Sequence, residues 1–322
     1  MPFVSFVTTI YNKAAALPFL VAGLAAQEGD FEREFIFVDD GSTDGSPDLL
    51  RELIRDWPEV IILEQPNSGP AMALNSGLRR ARGDYIKPMD GDDLLLPWAT
   101  RQLLEAIELT GCSVAFAPQS LVYKLTDRPD EALAACRRSA IRVERCDDIL
   151  RRSLRRAQTN PSAWLARAET VHRSGGCDER IFVQDYSIEL RMAVQGGFAR
   201  VEESIFLAPA ALPGRISGNE AQILHDLNLT LANFITDRPD LPSDLARLGF
   251  AYAATRAWIW ARRYESVTQR FHEFWLLCGA RSGLLRPSRA NLYATCAVFA
   301  KTGTIRTSPG VASNADFSLL SQ

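Results

Sequence analysis

The stretch FIFVDDGSTDGS, residues 35–46, decides the fold. Phe35–Val38 is a short apolar run rich in β-formers, which reads as a buried strand. Asp39 and Asp40 follow where that strand ends, and Gly41-Ser42 turns the chain. A helix is then expected from Ser46 to about Asp56, with Pro47 suited to its first position. The same strand–turn–helix unit recurs on either side. Val4–Ile10 is a β-rich run followed by a helical pattern from about Leu17 to Gln27. Val60–Leu63 precedes a helix over Pro70–Arg82, and Tyr85–Lys87 is a fourth strand. Pro97–Leu109 is a further helix, stopped by Gly111, and Ser113–Ala117 another strand. Such alternation predicts an α/β fold with a mostly parallel sheet between helices. Ligands of such sheets sit beyond the carboxyl ends of the strands.

The whole chain has 322 residues, 47% apolar and 23% charged, which suits two globular units and excludes disordered, collagen-like and coiled-coil classes. No basic segment precedes the first apolar run, and no run is long enough to span a bilayer. A soluble cytoplasmic protein is expected, or one peripheral at the inner face of the membrane. Six cysteines lack C-x-x-C spacing and read as reduced, packed thiols. The net charge of −3 hides an asymmetry: residues 1–110 hold 9 Lys+Arg against 18 Asp+Glu, and the remainder 27 against 21. Lysine occurs only at 13, 87, 124 and 301, among 32 arginines. No nucleic-acid partner is expected.

The middle of the chain is less regular. An Arg-rich helix is expected over 137–156, a strand over Ser162–Leu165 and a helix over Tyr186–Gln195. From about Asn219 to Lys301 the pattern is wholly helical, with breaks at Arg238-Pro239, Arg263 and Gly279–Pro287. Trp258 and Trp260 sit beside Arg256, Arg262 and Arg263, which suits an interior helix face or a membrane-surface helix. The expected division is a first domain over 1–215, a helical region over 216–302 and a loose tail over 303–322.

Three carboxylate groups carry chemistry. The first is Asp39-Asp40, with Asp44 read as a cap of the next helix. The loop resembles the start of an EF-hand, but Arg51 stands where the bidentate Glu belongs, so calcium is not expected. The second is Asp90-Gly91-Asp92-Asp93. Carboxylates this dense repel one another unless a cation or several N–H donors compensate them, and hard oxygen ligands suit Mg²⁺ or Mn²⁺. Asp93 reads as a cap of the helix that follows. The third is Gln184-Asp185 at a helix start. The first strand runs into Tyr11-Asn12-Lys13 and not a glycine-rich turn, which excludes the dinucleotide fingerprint, and no Walker A loop exists.

The ordered blocks VSFVTTIYNK, FIFVDDGSTDGS, PNSGPAMALNSGLRRARGDYIKPMDGDD and GGCDERIFVQDYSIELRMAVQGGF resemble the family 2 glycosyltransferases of GT-A fold, over residues 3 to about 200. The resemblance implies an inverting enzyme that moves a sugar from a nucleoside-diphosphate donor, by preference UDP-linked, to an acceptor hydroxyl. It implies that Thr9, Tyr11, Asp40 and Gly69 bind the nucleotide. Asp90 would face the ribose or the metal, and Asp92 would ligate Mg²⁺ or Mn²⁺. Asp185 would be the general base. The acceptor would be a glycan, a lipid-linked or another hydroxyl, and the C-terminal helices would serve membrane contact or oligomerisation. Two positions depart from the family pattern: Gln184 precedes the base where Glu is common, and Leu74 replaces an arginine. A catalytically weak or inactive nucleotide-sugar-binding module is the rival reading.

Overall fold

A computed structural model describes residues 1–118, 120–138, 140–210, 218–301 and 305–306. Apart from residues 305 and 306, the tail expected over 303–322 lies outside the described residues.

In chain order the first part contains β1 (Phe3–Ile10), α1 (Leu17–Ala25), β2 (Glu32–Asp39), α2 (Ser46–Leu53), β3 (Val60–Glu64), α3 (Pro70–Leu78), β4 (Tyr85–Asp90) and β5 (Leu94–Leu95). There follow α4 (Ala99–Thr110), β6 (Val114–Phe116), β7 (Leu121–Tyr123), α5 (Pro129–Ala134), β8 (Val143–Cys146), α6 (Ile149–Ser153) and β9 (Trp164–Arg167). The chain continues through α7 (Ala168–Ser174), α8 (Asp185–Ala193), β10 (Phe198–Val201) and β11 (Phe206–Pro209). It then turns helical, with α9 (Glu220–Thr236), α10 (Ser243–Tyr264), α11 (Val267–Ser282) and α12 (Arg289–Ala300).

Two compact units result. One comprises residues 1–149, 158–177 and 191–213; the other comprises 150–157, 178–190 and 214–322. In the first, eight strands form a sheet in the order β3-β2-β1-β4-β9-β6-β10-β8, and β5-β11-β7 form a second, smaller sheet. β1 lies parallel between β2 and β4, and β3 extends the parallel half, whereas β9 runs antiparallel to β4 and β6, and β8 antiparallel to β10. Phe6, Phe35 and Phe37 on the central strands are buried, and Phe6 stacks on Phe35 with ring centroids 5.4 Å apart. Burying several aromatics on one face supplies much of the apolar area that holds this layer.

The second unit is helical. Asn228 on α9 is buried and donates to the backbone oxygens of Ala253 (3.0 Å) and Thr295 (2.8 Å), tying α9 to α10 and α12. Trp260 is buried against Phe299.

Two expectations are corrected. No helix spans 137–156 among the described residues: 143–146 is a strand, and only Ile149–Ser153 is helical. Val143–Cys146 pairs with β10, some fifty residues on, and this distant partner outweighs local helix propensity. Asp93 caps no helix, because β5 follows it and α4 begins only at Ala99 with no side-chain cap. Of the two tryptophans of α10, Trp260 faces the interior, whereas Trp258 is only partly buried.

Candidate active site

The register of three parallel strands brings the first two acidic groups together. Ile10 lies opposite Asp39 on β2, and Thr9 lies opposite Asp90 on β4. Asp39-Asp40 and Asp90-Gly91-Asp92 therefore flank the carboxyl end of β1 on its two sides. Gly91 is required there: a Cβ at this position would stand 2.7 Å from the backbone oxygen of Thr9. Only glycine lets the acidic turn lie this close to β1.

The loop after β1 is stapled to the turn after β2. Asn12, at φ +52°, donates its N–H to Ser42 Oγ (2.9 Å) and accepts from Thr43 N–H through Oδ1 (2.8 Å). Lys13 N–H donates to Ser46 Oγ (2.9 Å), and Ala14 N–H to Asp44 Oδ2 (3.0 Å). Asp44 also accepts from Ser46 N–H, so the expected capping role is joined by a tether to the first loop. These contacts leave Tyr11 exposed and carry the Lys13 ammonium to 2.7 Å from Asp92 Oδ2.

Asp40 is buried. Its Oδ1 accepts from Gln65 Nε2 (2.9 Å) and Ser68 N–H (2.8 Å), and its Oδ2 from Gly69 N–H (2.9 Å). Burial raises its carboxyl above the ordinary aspartate value, the three donors notwithstanding. A carboxylate offers about four lone-pair positions, so one further donor can be accommodated. Gly69 is thus positioned by Asp40, in a positive-φ conformation that opens α3.

Lys87 escaped the sequence reading. It is wholly buried in β4 and donates to the backbone oxygens of Pro88 (2.8 Å) and Ser162 (2.7 Å). Ser162 Oγ in turn accepts from Asp90 N–H (3.0 Å). Burial lowers the Lys87 ammonium to about 7, against the opposing pull of Asp93 and Asp90. Asp93, buried in the turn between β4 and β5, thus favours the charged form of Lys87. The scarcity of lysine was the available signal, since two of four stand at this acidic edge. Asn75 was also missed. Its side chain donates to Cys177 O (3.0 Å) and accepts from Cys177 N–H (2.8 Å). Gly176 leaves no room for a Cβ, which would lie 2.4 Å from Asn75 Oδ1.

The second unit carries Asp185 as the first residue of α8. It is half-buried, and desolvation pushes its carboxyl up to about 6. The segment before it is held by Asp226 of α9. Asp226 Oδ2 accepts from Val183 N–H (2.8 Å) and Gln222 Nε2 (2.9 Å), while His225 Nδ1 contacts Oδ1 (2.8 Å).

Among the described residues no three His, Cys, Asp or Glu side chains converge to enclose a metal by themselves. Asp90 and Asp92 supply two hard oxygen donors at one edge. That set fits Mg²⁺ or Mn²⁺, which retain open positions for phosphate oxygens and water.

A mixed, mostly parallel sheet with carboxylates gathered beyond its central strands is the architecture of the GT-A fold. Residues 5–150, somewhat under half of the chain, match the model of Glycosyl transferase family 2, and the structure has the GT-A fold. Succinoglycan biosynthesis protein ExoO of Rhizobium meliloti is 34% identical over 115 residues, 36% of this chain and 32% of that protein. A putative teichuronic acid biosynthesis glycosyltransferase, TuaG of Bacillus subtilis, is 36% identical over 123 residues, 38% of this chain and 48% of that protein. The alignments thus span a third to a half of these relatives. Among solved structures, S. aureus TarS 1–349 in complex with UDP-GlcNAc superposes with a TM-score of 0.64 at 16% identity, covering 95% of this chain and 93% of that one. Mannosyltransferase PcManGT from Pyrobaculum calidifontis, in complex with GDP-Man and Mn²⁺, gives 0.52 at 19% identity, covering 93% and 86%. Both are likenesses of fold.

Proposed function

We propose that this chain is an inverting glycosyltransferase that moves a sugar from a nucleoside-diphosphate donor, UDP-linked by preference, to an acceptor hydroxyl. The observation that carries the reading is the convergence of Asp39-Asp40 and Asp90-Gly91-Asp92 on the two sides of the β1 carboxyl end. Thr9, Tyr11, Asp40 and Gly69 would hold the base and ribose, with the remaining acceptor position of Asp40 taking an N–H of the base. Asp90 and Asp92 would hold Mg²⁺ or Mn²⁺, which when bound neutralises charge on the departing diphosphate. Asp185 would accept the proton of the acceptor hydroxyl. A carboxyl near 6 is still mostly ionised at neutral pH and is more basic than an exposed aspartate, both useful to a general base. One base and direct displacement invert the anomeric centre, so an α-linked donor gives a β-linked product. The acceptor is a hydroxyl of a glycan or of a lipid-linked sugar, which accords with the polysaccharide pathways named for the relatives.

The test is a thermal-shift panel of UDP, TDP, GDP and CDP with and without Mn²⁺. A ligand at 100 times its dissociation constant adds about 2.7 kcal/mol of stability. Stabilisation by UDP with Mn²⁺ supports the reading; no response to any nucleotide defeats it.

A further inference from the structure

Helix α11 presents an aromatic face to solvent. Val267, Phe271, Phe274 and Trp275 are 79%, 62%, 43% and 60% exposed. Their spacing of four, three and one residues puts them on one side of the helix. The opposite side, Glu273, Leu276, Gly279 and Ala280, is buried in the helical unit. Phe274 also packs on Trp258 of α10, with centroids 5.3 Å apart, and the Arg262 guanidinium lies 5.9 Å from the Trp258 ring centroid. The patch is therefore continuous across two helices. A contiguous aromatic surface of this kind marks an interaction site more often than a solvated face.

The surrounding charge selects the partner. Residues 256–301 hold eight Lys+Arg against two Glu; Glu273 is buried, Arg256 is held by Asn228 and Arg263 pairs with Glu220, which leaves six cations against Glu265. At 100° per residue Arg270 and Arg281 border the aromatic stripe on one side and His272 on the other. A second copy docked face to face would set like-charged borders against each other, which disfavours self-association. No helix among the described residues is long and apolar enough to cross a membrane. We infer that the α11 face docks the chain flat on an anionic lipid bilayer, with Phe271, Phe274 and Trp275 at headgroup depth and the arginines on lipid phosphates.

Sedimentation of the full chain with vesicles tests this directly. One set is phosphatidylcholine alone, the other an equimolar mixture with phosphatidylglycerol. The chain should sediment with the anionic vesicles, release at high salt, and stay in solution with phosphatidylcholine. Phe271→Ser/Trp275→Ser should weaken anionic binding by about tenfold or more with an unchanged melting temperature, because both side chains are exposed. Arg270→Glu should weaken it less and flatten the salt dependence. Absence of binding to anionic vesicles would overturn the inference. So would a dimer in light scattering that the double variant dissolves, since the face would then belong to a second copy.

Discussion

The ammonium of Lys13 stands 2.7 Å from Asp92 Oδ2, with both side chains largely removed from solvent. The first loop thus supplies a resident positive charge to the carboxylate proposed as metal ligand. Lys13→Met removes that charge and should raise the affinity for Mn²⁺ alone by roughly tenfold, a change of about 1.4 kcal/mol. Calorimetry of Mn²⁺ without nucleotide reads this; equal affinity in both proteins would mean that Lys13 does not compete for Asp92.

Gly91→Ala drives a Cβ into the backbone oxygen of Thr9. Backbone cannot yield cheaply, so the Asp90–Asp92 turn should shift away from β1. A stability loss of about 1–3 kcal/mol is expected, with UDP–Mn²⁺ binding lost or strongly reduced in the folded protein. Retained binding at full stability would refute the tight approach of these two segments.

Asp40 orders the turn before α3 and is the proposed reader of the base. Asp40→Asn sets an amide N–H against either the Gly69 N–H or the Ser68 N–H and Gln65 Nε2, so about 1–3 kcal/mol of stability should be lost. In its proposed role the carboxylate would accept an N–H from uracil or thymine, whereas cytosine offers an acceptor at that place. The ratio of UDP to CDP affinity should therefore favour UDP and should shrink in Asp40→Asn. Tight CDP binding by the unaltered protein would rule out Asp40 as the reader of the base.

Asp185 gives a pH signature. Its carboxyl is raised in the folded state, so the folded protein holds that proton more strongly than the unfolded chain. Its contribution to stability is greatest below the unfolded value and is lost as pH rises through about 6. Asp185→Asn should therefore stabilise by about 1–2 kcal/mol at pH 8, with the difference vanishing near pH 3. Turnover of the unaltered enzyme should fall about tenfold per pH unit below 6 as the base protonates. A melting temperature of Asp185→Asn that tracks the parent across this range would contradict the raised carboxyl.

The strands and their acidic ends were legible because carboxylates follow apolar runs, a pattern that survives without knowledge of partners. Lys87 was not, because a lysine after Tyr85-Ile86 reads as the end of a strand, although β4 continues to Asp90. Its burial depends on Ser162 and Asp93, which only the tertiary fold brings near. The strand at Val143–Cys146 was hidden by its arginine-rich surroundings for the same reason. The exposed aromatics of α11 were passed over in favour of the tryptophans of α10, since sequence alone does not tell which face of a helix its neighbours cover. Asp185 was legible as a motif, but its raised carboxyl was not. The uncharged neighbour Gln184 excludes like-charge repulsion at that position, while desolvation raises the value on its own.

The most direct test of the proposed transferase compares the parent with Asp185→Asn in one preparation. Calorimetry measures UDP–Mn²⁺ binding, and release of UDP from a UDP-sugar in the presence of an acceptor measures turnover. Turnover should fall by roughly 10²–10⁴-fold while the binding constant hardly moves. Full turnover in Asp185→Asn would contradict the general-base assignment, and a parent protein that binds donor yet releases no UDP with any acceptor would contradict the transferase itself.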